Sequence, residues 1–215
     1  MSARDDILAA IRDRRSRPAA AEEAVAERLA AHPRGPLPAA VGGDREALRA
    51  RFIERAGKAS AEVEALAAAA DLPPLAARLC REAGYPERLA LAPDAALTGL
   101  DWAAAGLEAE ARAARRDDRV CVSVARCGVA ETGTLVLASG ADSPVTLAFV
   151  PDLHLVLLQA DAIVGAYEQA WDLLRAGGSS PRAVNWITGP SRSADIEQTL
   201  QLGAHGPIRL VIALL

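Results

Sequence analysis

The order of apolar and polar positions divides this chain at about residue 44. Before that point, apolar residues recur at helical spacing only in short stripes, namely Ile7, Leu8 and Ile11, then Val25 and Leu29. These stripes predict two short helices. Proline and glycine are then concentrated in residues 33–43 (PRGPLPAAVGG), which predicts a linker. We therefore expect residues 1–43 to form a helical arm and a linker.

From residue 44 onward, segments typical of helices alternate with segments typical of strands. The helical segments are residues 44–56, 72–83, 107–116, 163–176 and 194–202, and the strand-like segments are residues 61–66, 88–92, 120–125, 134–139, 145–150, 153–158, 183–188 and 208–214. Helices between strands imply crossover connections, so the pattern predicts an α/β domain over residues 44–215. We expect a mainly parallel central sheet with helices on both faces, and antiparallel pairs where the links are short.

Composition and charge exclude several classes of function. The chain has 215 residues, of which 51% are hydrophobic, and this is enough to bury one good-sized core. A net charge of -4 argues against a nucleic-acid partner, and the strongest basic cluster, residues 112–119, is interrupted by Asp117 and Asp118. The sequence shows neither a long apolar run nor a cationic leader, so we expect a soluble cytoplasmic protein without a membrane span.

The cysteines limit redox and metal chemistry. Cys80, Cys121 and Cys127 are three in number and contain no Cys-x-x-Cys pair. Four thiolates are needed for an iron-sulfur cluster, so no cluster is expected on this chain alone, and no metal site is predicted. Phosphate-loop, dinucleotide-binding and zinc-protease motifs are absent as well, which leaves the cofactor undefined.

A long polar segment, GPSRSADIEQTLQLGAHGP (residues 189–207), separates the last two predicted strands. Helix capping accounts for much of it, since Ser191 and Ser193 are candidate N-caps and Asp195 would lie in a first helical turn. His205, just before the final strand, is either a structural hydrogen-bonding group or an acid, base or ligand. Ligands of open α/β sheets gather beyond the carboxyl ends of strands, where the loop containing Gly189 is expected to lie.

A second segment, GVAETGT (residues 128–134), lies between two apolar runs. Gly133 permits a positive φ angle, and Glu131 is a lone carboxylate flanked by Thr132 and Thr134. In a cleft, Glu131 could serve as a base, a nucleophile or a hydrogen-bond anchor. A solvent-facing hairpin tip is the alternative. His154 lies in a strand pattern and is interpreted as a core or edge histidine, and Cys127 is interpreted as a buried thiol unless Arg126 lowers its pKa.

Together, GVAETGTLVL and ITGPSRSADIEQTLQLGAHGP resemble the lactate utilization protein C (LutC) family, whose shared module is the LUD domain. The resemblance continues through VTLAFVPDLHLVLLQADAIV between them, and the start ARDDILAAIRDR is also similar. It is strong from residue 120 to residue 215 and loose over residues 44–119. The implied fold is that of the ribose-phosphate isomerase and CoA-transferase superfamily, with a ligand cleft at the carboxyl ends of strands.

The resemblance also implies a role in oxidising L-lactate to pyruvate, alongside iron-sulfur partner proteins. It leaves open whether this chain is catalytic, as a subunit of an L-lactate-oxidising (dehydrogenase) complex, or accessory. On the matching motif positions we predict Glu131 and His205 as catalytic residues. The predicted ligand-binding residues are Thr132, Gly133, Thr134, Gly189, Ser191, Ser193 and Asp195. Two other functions stay open: a stand-alone CoA-transferase-like enzyme that uses Glu131 as its nucleophile, and a non-catalytic module that binds a small carboxylate or phosphate.

Overall fold

The structure, a computed structural model, describes residues 3–15, 19–31, 35, 37, 41–178, 181–194, 200–202 and 206–215. The chain divides into two compact units, Met1–Pro36 and Leu37–Leu215. The first unit holds helices α1 (Ala3–Arg15) and α2 (Ala19–Ala31), so the two helices predicted from the short apolar stripes are confirmed.

The second unit is built on a six-stranded sheet in which every pair is parallel. Its strands, in spatial order, are β1 (Glu62–Ala65), β12 (Arg209–Leu214), β7 (Leu153–Leu158), β4 (Val120–Val124), β2 (Arg88–Leu91) and β3 (Glu108–Ala111). The predicted mainly parallel sheet is therefore confirmed. The C-terminal strand β12 lies between β1 and β7, which places the last residues of the chain inside the core.

Side chains of this sheet alternate between two apolar layers, as the two-residue period of a strand requires. Leu153, Leu155 and Leu157 of β7 pack in one layer, which is covered by helix α4 (Leu72–Ala83). Val156 and Leu158 pack in the opposite layer, with Phe52 and Ala56 of helix α3 (Arg45–Lys58). Helices on both faces were predicted, and they are present.

A second, four-stranded sheet lies on the α3 side of the molecule. Its spatial order is β8 (Ile163–Val164), β5 (Cys127–Val129), β6 (Thr134–Ala138) and β9 (Val184–Ile187). Leu135 and Leu137 of β6 join the layer beneath the main sheet, whereas Val136 packs on the other side with Ala170 and Leu174 of helix α6 (Tyr167–Ala176). The small sheet is thus sandwiched between the main sheet and α6.

Local sequence features explain the helix ends. Asp44 is the N-cap of α3, and its carboxylate accepts a hydrogen bond from the backbone N–H of Ala47 at 2.8 Å. Helix α4 has prolines in its first turn and ends at Gly84, which has a φ of +66°. The short helix α5 (Ala95–Thr98) is capped by Asp94. Short 3₁₀ turns occur at Ala69–Asp71, Ala103–Ala105, Val145–Ala148 and Ala160–Ala162.

Several predicted elements are wrong. The strand predicted at residues 145–150 is the 3₁₀ turn Val145–Ala148, because a short apolar run does not by itself distinguish a strand from a buried turn. The helix predicted at residues 107–116 contains instead β3, which pairs with β2, so tertiary pairing overrides the helical propensity of its Glu and Ala residues. The helix predicted at residues 163–176 begins as β8 and becomes helical only from Tyr167.

The helix predicted at residues 194–202 is wrong at residue 194 and at residues 200–202, and residues 195–199 lie outside the described residues. Strands β10 (Arg192–Ala194) and β11 (Leu200–Leu202) pair in antiparallel fashion at its two ends, with Ser193 opposite Gln201. Ser193 therefore lies within a strand and is not an N-cap. Asp195 and His205 lie outside the described residues. Within the part of the chain that the structure describes, no helix is long and apolar enough to cross a membrane, and no group of three potential metal ligands occurs.

Candidate functional site

Two loops that are distant in sequence pack against the same end of helix α3. The first is the AETGT loop (residues 130–134), and the second is the TGPS loop (residues 188–191). Gly133 has a φ of +70°, and a Cβ atom added to it would lie 2.1 Å from the backbone nitrogen of Ala56. Gly189 has a φ of +78°, and its added Cβ would lie 2.0 Å from the carbonyl oxygen of Ala59. Glycine is the residue that both adopts a positive φ angle without strain and has no Cβ atom, which explains why glycine occurs at these two predicted positions.

The strand directions bring the two loops together. Strand β5 runs parallel to β8, and β6 is antiparallel to both β5 and β9, so β5, β8 and β9 share one direction. Their carboxyl ends therefore meet at one edge of the small sheet, which is where the AETGT and TGPS loops emerge. The expected position at the carboxyl ends of strands thus applies to the small sheet and not to the main parallel sheet.

At this edge four hydroxyl groups from three parts of the chain form one hydrogen-bonded group, the hydroxyl cluster (Thr132, Thr134, Tyr167 and Thr188). Thr132 Oγ1 lies 2.6 Å from Thr134 Oγ1 and 2.8 Å from Tyr167 Oη. Thr134 Oγ1 lies 3.0 Å from Tyr167 Oη and 2.6 Å from Thr188 Oγ1. The structure therefore joins Thr132 and Thr134 to the residue that precedes Gly189.

Burial increases from one side of the hydroxyl cluster to the other. Thr188 is exposed, Thr132 and Tyr167 are half-buried, and Thr134 is completely buried. The ring of Tyr167 is held by Trp186, whose ring centroid is 5.1 Å away. Buried hydroxyls need hydrogen-bond partners, and the cluster supplies these for Thr134. Neither Tyr167 nor Thr188 was predicted as a site residue. Tyr167 lies outside both motifs, and Thr188, although it is the first residue of TGPS, was counted as the end of the preceding strand.

The exposed side of the hydroxyl cluster opens onto a cavity of about 340 Å3, the Thr188 cavity. Its described lining residues are Ala148, Phe149, Trp186, Ile187, Thr188, Gly189, Pro190, Ser191, Arg192, Gly206 and Pro207. The exposed Arg192 is the cationic residue among them, and its guanidinium donates a hydrogen bond to Ser60 Oγ. Ser191 is fixed by its backbone N–H, which donates to the carbonyl oxygen of Pro207 at 2.8 Å. A polar group and a cation in a partly apolar cavity are typical of a small-molecule site.

The predicted acid-base pair receives less support from this geometry. Glu131 is half-buried, and its backbone N–H donates to the carbonyl oxygen of Gly165 at 3.0 Å. Glu131 is not among the described residues that line the Thr188 cavity. His205 lies outside the described residues, although its neighbour Gly206 lines the cavity. The structure thus brings together Thr132, Gly133, Thr134, Gly189 and Ser191, whereas it does not show the pairing of Glu131 with His205.

A second cavity, of about 330 Å3, contains no residue predicted from the sequence as part of a site. It lies beyond the carboxyl ends of β2 and β4, where Asp94 and Arg126 contribute charged groups, and Ser139, Asp142 and Ser143 contribute polar groups after β6. Sequence reasoning missed it because its polar residues come from three separate segments, none of which carries a recognisable motif.

The cysteines and His154 are core groups. All three thiols are buried, and burial raises the pKa of Cys121 to about 12 and that of Cys127 to about 11, so the positive charge of Arg126 does not activate Cys127. His154 is completely buried on β7, with Nε2 2.6 Å from Ser123 Oγ. Burial lowers its pKa from 6.5 to about 3, so the imidazole is neutral at physiological pH.

A comparison of the sequence with known protein families decides the family. The sequence model of the LUD domain matches residues 49–215, which includes most of α3, both loops and the entire hydroxyl cluster. The chain belongs to the LUD domain family. The resemblance seen in the AETGT and TGPS motifs is thereby confirmed.

Relatives of this LUD domain match shorter stretches. An uncharacterized protein of Neisseria meningitidis serogroup B is 43% identical over 93 residues, covering 42% of this chain and 39% of that protein. A protein named lactate utilization protein C from Anoxybacillus flavithermus is 41% identical over 81 residues, 38% of this chain and 36% of that protein. Its namesake from Bacillus licheniformis is 34% identical over 114 residues, 51% of this chain and 47% of that protein. The chain matches less than half of the length of each.

The same LUD fold occurs in a solved structure. The crystal structure of a DUF162 family protein from Deinococcus radiodurans superposes with a TM-score of 0.62 and covers 80% of this chain and 99% of its own. The two sequences are 21% identical, so the similarity establishes the fold alone.

Proposed function

We propose that this LUD-domain protein is a component of an L-lactate utilization system, in which L-lactate is oxidised to pyruvate with the help of iron-sulfur partner proteins. The proposal rests mainly on the relatives named lactate utilization protein C, which match this chain at 34–41% identity. Because each match covers less than half of the relative, the transfer of that role to this chain is our inference.

The Thr188 cavity supports a small hydroxy acid as the ligand. Thr188, Ser191 and the exposed cation Arg192 line one cavity of about 340 Å3, and Thr188 links this cavity to the hydroxyl cluster. A guanidinium is well suited to bind a carboxylate, and threonine hydroxyls are suited to bind a ligand hydroxyl. We assign ligand contacts to this site, with Thr132, Gly133, Thr134 and Gly189 shaping its edge, and with Ser191, Ser193 and Asp195 contributing from the segment that follows.

The oxidation of lactate releases two electrons and two protons, so an acid-base group and an electron carrier are both needed. We propose Glu131 and His205 as the groups that exchange protons with the ligand. The electron carrier is assigned to partner proteins, because a cluster of the common type takes four thiolates and this chain has three cysteines.

One structural observation favours a second candidate, a CoA-transferase-like enzyme in which Glu131 forms a glutamyl thioester. The AETGT loop is held rigidly, since Gly133 packs directly on α3 and the backbone of Glu131 is bonded to Gly165. A fixed, half-buried carboxylate is a reasonable nucleophile. Incubation with acyl-CoA followed by borohydride would reduce a thioester on Glu131. A peptide mass that shows no modification there would exclude this candidate.

The lactate proposal is tested by deleting the gene in its native host and measuring growth. We expect growth on L-lactate as the carbon source to be lost, growth on pyruvate to be retained, and the wild-type gene to restore growth on L-lactate. Affinity purification of the tagged protein from lactate-grown cells should recover a protein that carries iron-sulfur clusters, visible in its absorption spectrum. Normal growth on L-lactate, together with purification of the chain alone, would contradict the proposal.

A further inference from the structure

The number of protons in the hydroxyl cluster fixes the direction of its hydrogen bonds. Thr132, Thr134 and Tyr167 lie within 2.6 to 3.0 Å of one another and form a closed ring of three contacts. Each hydroxyl carries one proton and can accept two hydrogen bonds. Three contacts need three protons, so the ring uses every proton that its members have, and each member donates once within the ring.

The fourth contact, between Thr134 and Thr188, must then use the proton of Thr188. Thr134 has already donated within the ring and accepted one bond there, so at 2.6 Å from Thr188 Oγ1 it accepts its second bond. Thr134 is completely buried, and this arrangement satisfies its proton and both of its lone pairs. Thr188, the exposed member that lines the cavity, keeps two lone pairs and has no proton left to donate.

We infer that Thr188 presents a hydrogen-bond acceptor to the cavity, and that the cavity therefore selects a 2-hydroxy acid over the corresponding 2-oxo acid. A ligand hydroxyl at C2 can donate to Thr188 Oγ1, whereas a ketone oxygen there would place two acceptors against each other. Arg192 lines the same cavity and supplies the cation for the carboxylate. This inference deepens the proposed function and rests on the assignment of the Thr188 cavity as its ligand site.

The inference assigns a specificity role to Tyr167, which does not line the cavity among the described residues. Its hydroxyl closes the ring, and Thr188 must therefore donate its proton to Thr134. Tyr167→Phe opens the ring and leaves Thr132, Thr134 and Thr188 as a chain of two contacts with three protons. Such a chain can run in either direction, so Thr188 can then turn its proton toward the cavity. Thr132→Val opens the ring in the same way from its other side.

The experiment compares binding of L-lactate, pyruvate and propionate to the full-length protein by isothermal titration calorimetry, with each acid as its sodium salt. We expect wild type to bind L-lactate at least about fivefold more tightly than pyruvate, because an acceptor facing an acceptor loses a hydrogen bond. Propionate, which lacks an oxygen at C2, should bind more weakly than L-lactate. Thr188→Val should bind L-lactate no better than it binds propionate.

The decisive result is the ratio of the two affinities in the ring variants. Tyr167→Phe and Thr132→Val should each bring the ratio of L-lactate to pyruvate affinity to within about twofold of unity, through tighter binding of pyruvate. If Tyr167 had a purely structural role, Tyr167→Phe would weaken the binding of L-lactate and of pyruvate to the same extent. An unchanged ratio of the two affinities would therefore overturn the inference. Thermal melts identify a variant that fails to fold, in which case the other variant gives the answer.

Two further outcomes would overturn the inference: wild type that binds pyruvate as tightly as L-lactate, and wild type that binds neither acid at concentrations of about 50 mM. Both are separable from failure of the proposed function. If the deletion strain cannot grow on L-lactate while the purified protein prefers pyruvate, the proposed role in lactate utilization is supported. In that case the inference that Thr188 presents an acceptor to the cavity is wrong. If the protein prefers 2-hydroxy acids while the deletion strain grows normally on L-lactate, the inference about Thr188 is supported and the proposed role in lactate utilization is wrong.

Discussion

The hydroxyl oxygens of Thr134 and Thr188 lie 2.6 Å apart, although the two residues are 54 positions apart along the chain. Thr134 is the first residue of β6, and Thr188 directly follows β9, the antiparallel neighbour of β6 in the small sheet. The contact therefore joins the AETGT loop to the TGPS loop at a single sheet edge. It gives the two motifs that characterise this sequence a shared location, and it places a buried polar network beside a cavity.

Close packing of the AETGT loop on α3 predicts a large effect for Gly133→Ala. The new Cβ would overlap the backbone of Ala56, and a non-glycine residue would also have to adopt a φ of +70°. We expect a loss of at least about 3 kcal/mol in the free energy of unfolding, measured by urea denaturation. Gly84→Ala is the matched control, since Gly84 has a φ of +66° but open space around it, and should cost about 1 to 2 kcal/mol. Equal losses in the two variants would show that the loop does not pack on α3 in this way.

The ion pair of Arg112 with the buried Asp118 should contribute far more to the free energy of unfolding than an exposed ion pair nearby. Asp118 is 6% exposed, accepts hydrogen bonds from Arg112 at 2.6 and 3.0 Å, and its pKa is lowered chiefly by the Arg112 guanidinium. Arg112→Gln removes the charged partner of the Asp118 carboxylate, which keeps the hydrogen bond from the backbone N–H of Arg115, and should cost about 2 to 4 kcal/mol. The control is Arg88→Gln, which breaks an exposed pair with Asp117 and should cost less than about 1 kcal/mol. Chemical denaturation measures the loss of unfolding free energy in each variant. Similar losses in Arg112→Gln and Arg88→Gln would refute the prediction.

His154 should make stability depend on pH in the mildly acidic range. In the folded chain its pKa is about 3, whereas in the unfolded chain it returns to about 6.5, so between these values the unfolded state binds the extra proton. Stability is therefore lost as the pH falls through this window. His154→Gln cannot take up the proton and can still bond to Ser123.

Between about pH 7.5 and about pH 5, wild type should lose about 2 kcal/mol more unfolding free energy than His154→Gln loses. Carboxylates titrate in both proteins, and their contributions cancel in the difference. Parallel pH profiles for the two proteins would mean that the imidazole becomes protonated in the folded state.

Residues whose environment is set locally could be predicted from the sequence. Helix α4 has the predicted bounds 72–83, because its prolines and Gly84 mark both ends, and the buried strands β4, β7 and β12 are unmistakable apolar runs. The errors at residues 107–116 and 194–202 occurred where pairing between distant segments decides the structure. Glu108–Ala111 becomes a strand only because β2 is available beside it, and Arg192–Ala194 becomes a strand because it pairs with Leu200–Leu202.

The candidate site was predictable in its motifs and not in its contacts. The positions of Gly133 and Thr134 follow from the AETGT motif, and that of Gly189 follows from the TGPS motif. Tyr167 could not be found in this way, because it reaches the site through the packing of α6 on the small sheet and the tilted contact of its ring with Trp186. Strand order, which sequence periodicity does not specify, is what brings Thr188 next to Thr134.

The most direct test of the joined loops is a double-mutant cycle on Thr134→Val and Thr188→Val, with unfolding free energies measured by urea denaturation. Valine keeps the shape of threonine and removes the hydroxyl, so the cycle isolates the contact between the two groups. We predict that the loss of unfolding free energy in the double variant will differ from the sum of the losses in the two single variants, with a coupling energy of about 0.5 to 1.5 kcal/mol. Losses that add to within about 0.3 kcal/mol would contradict the account, because two loops that do not meet have no reason to be coupled.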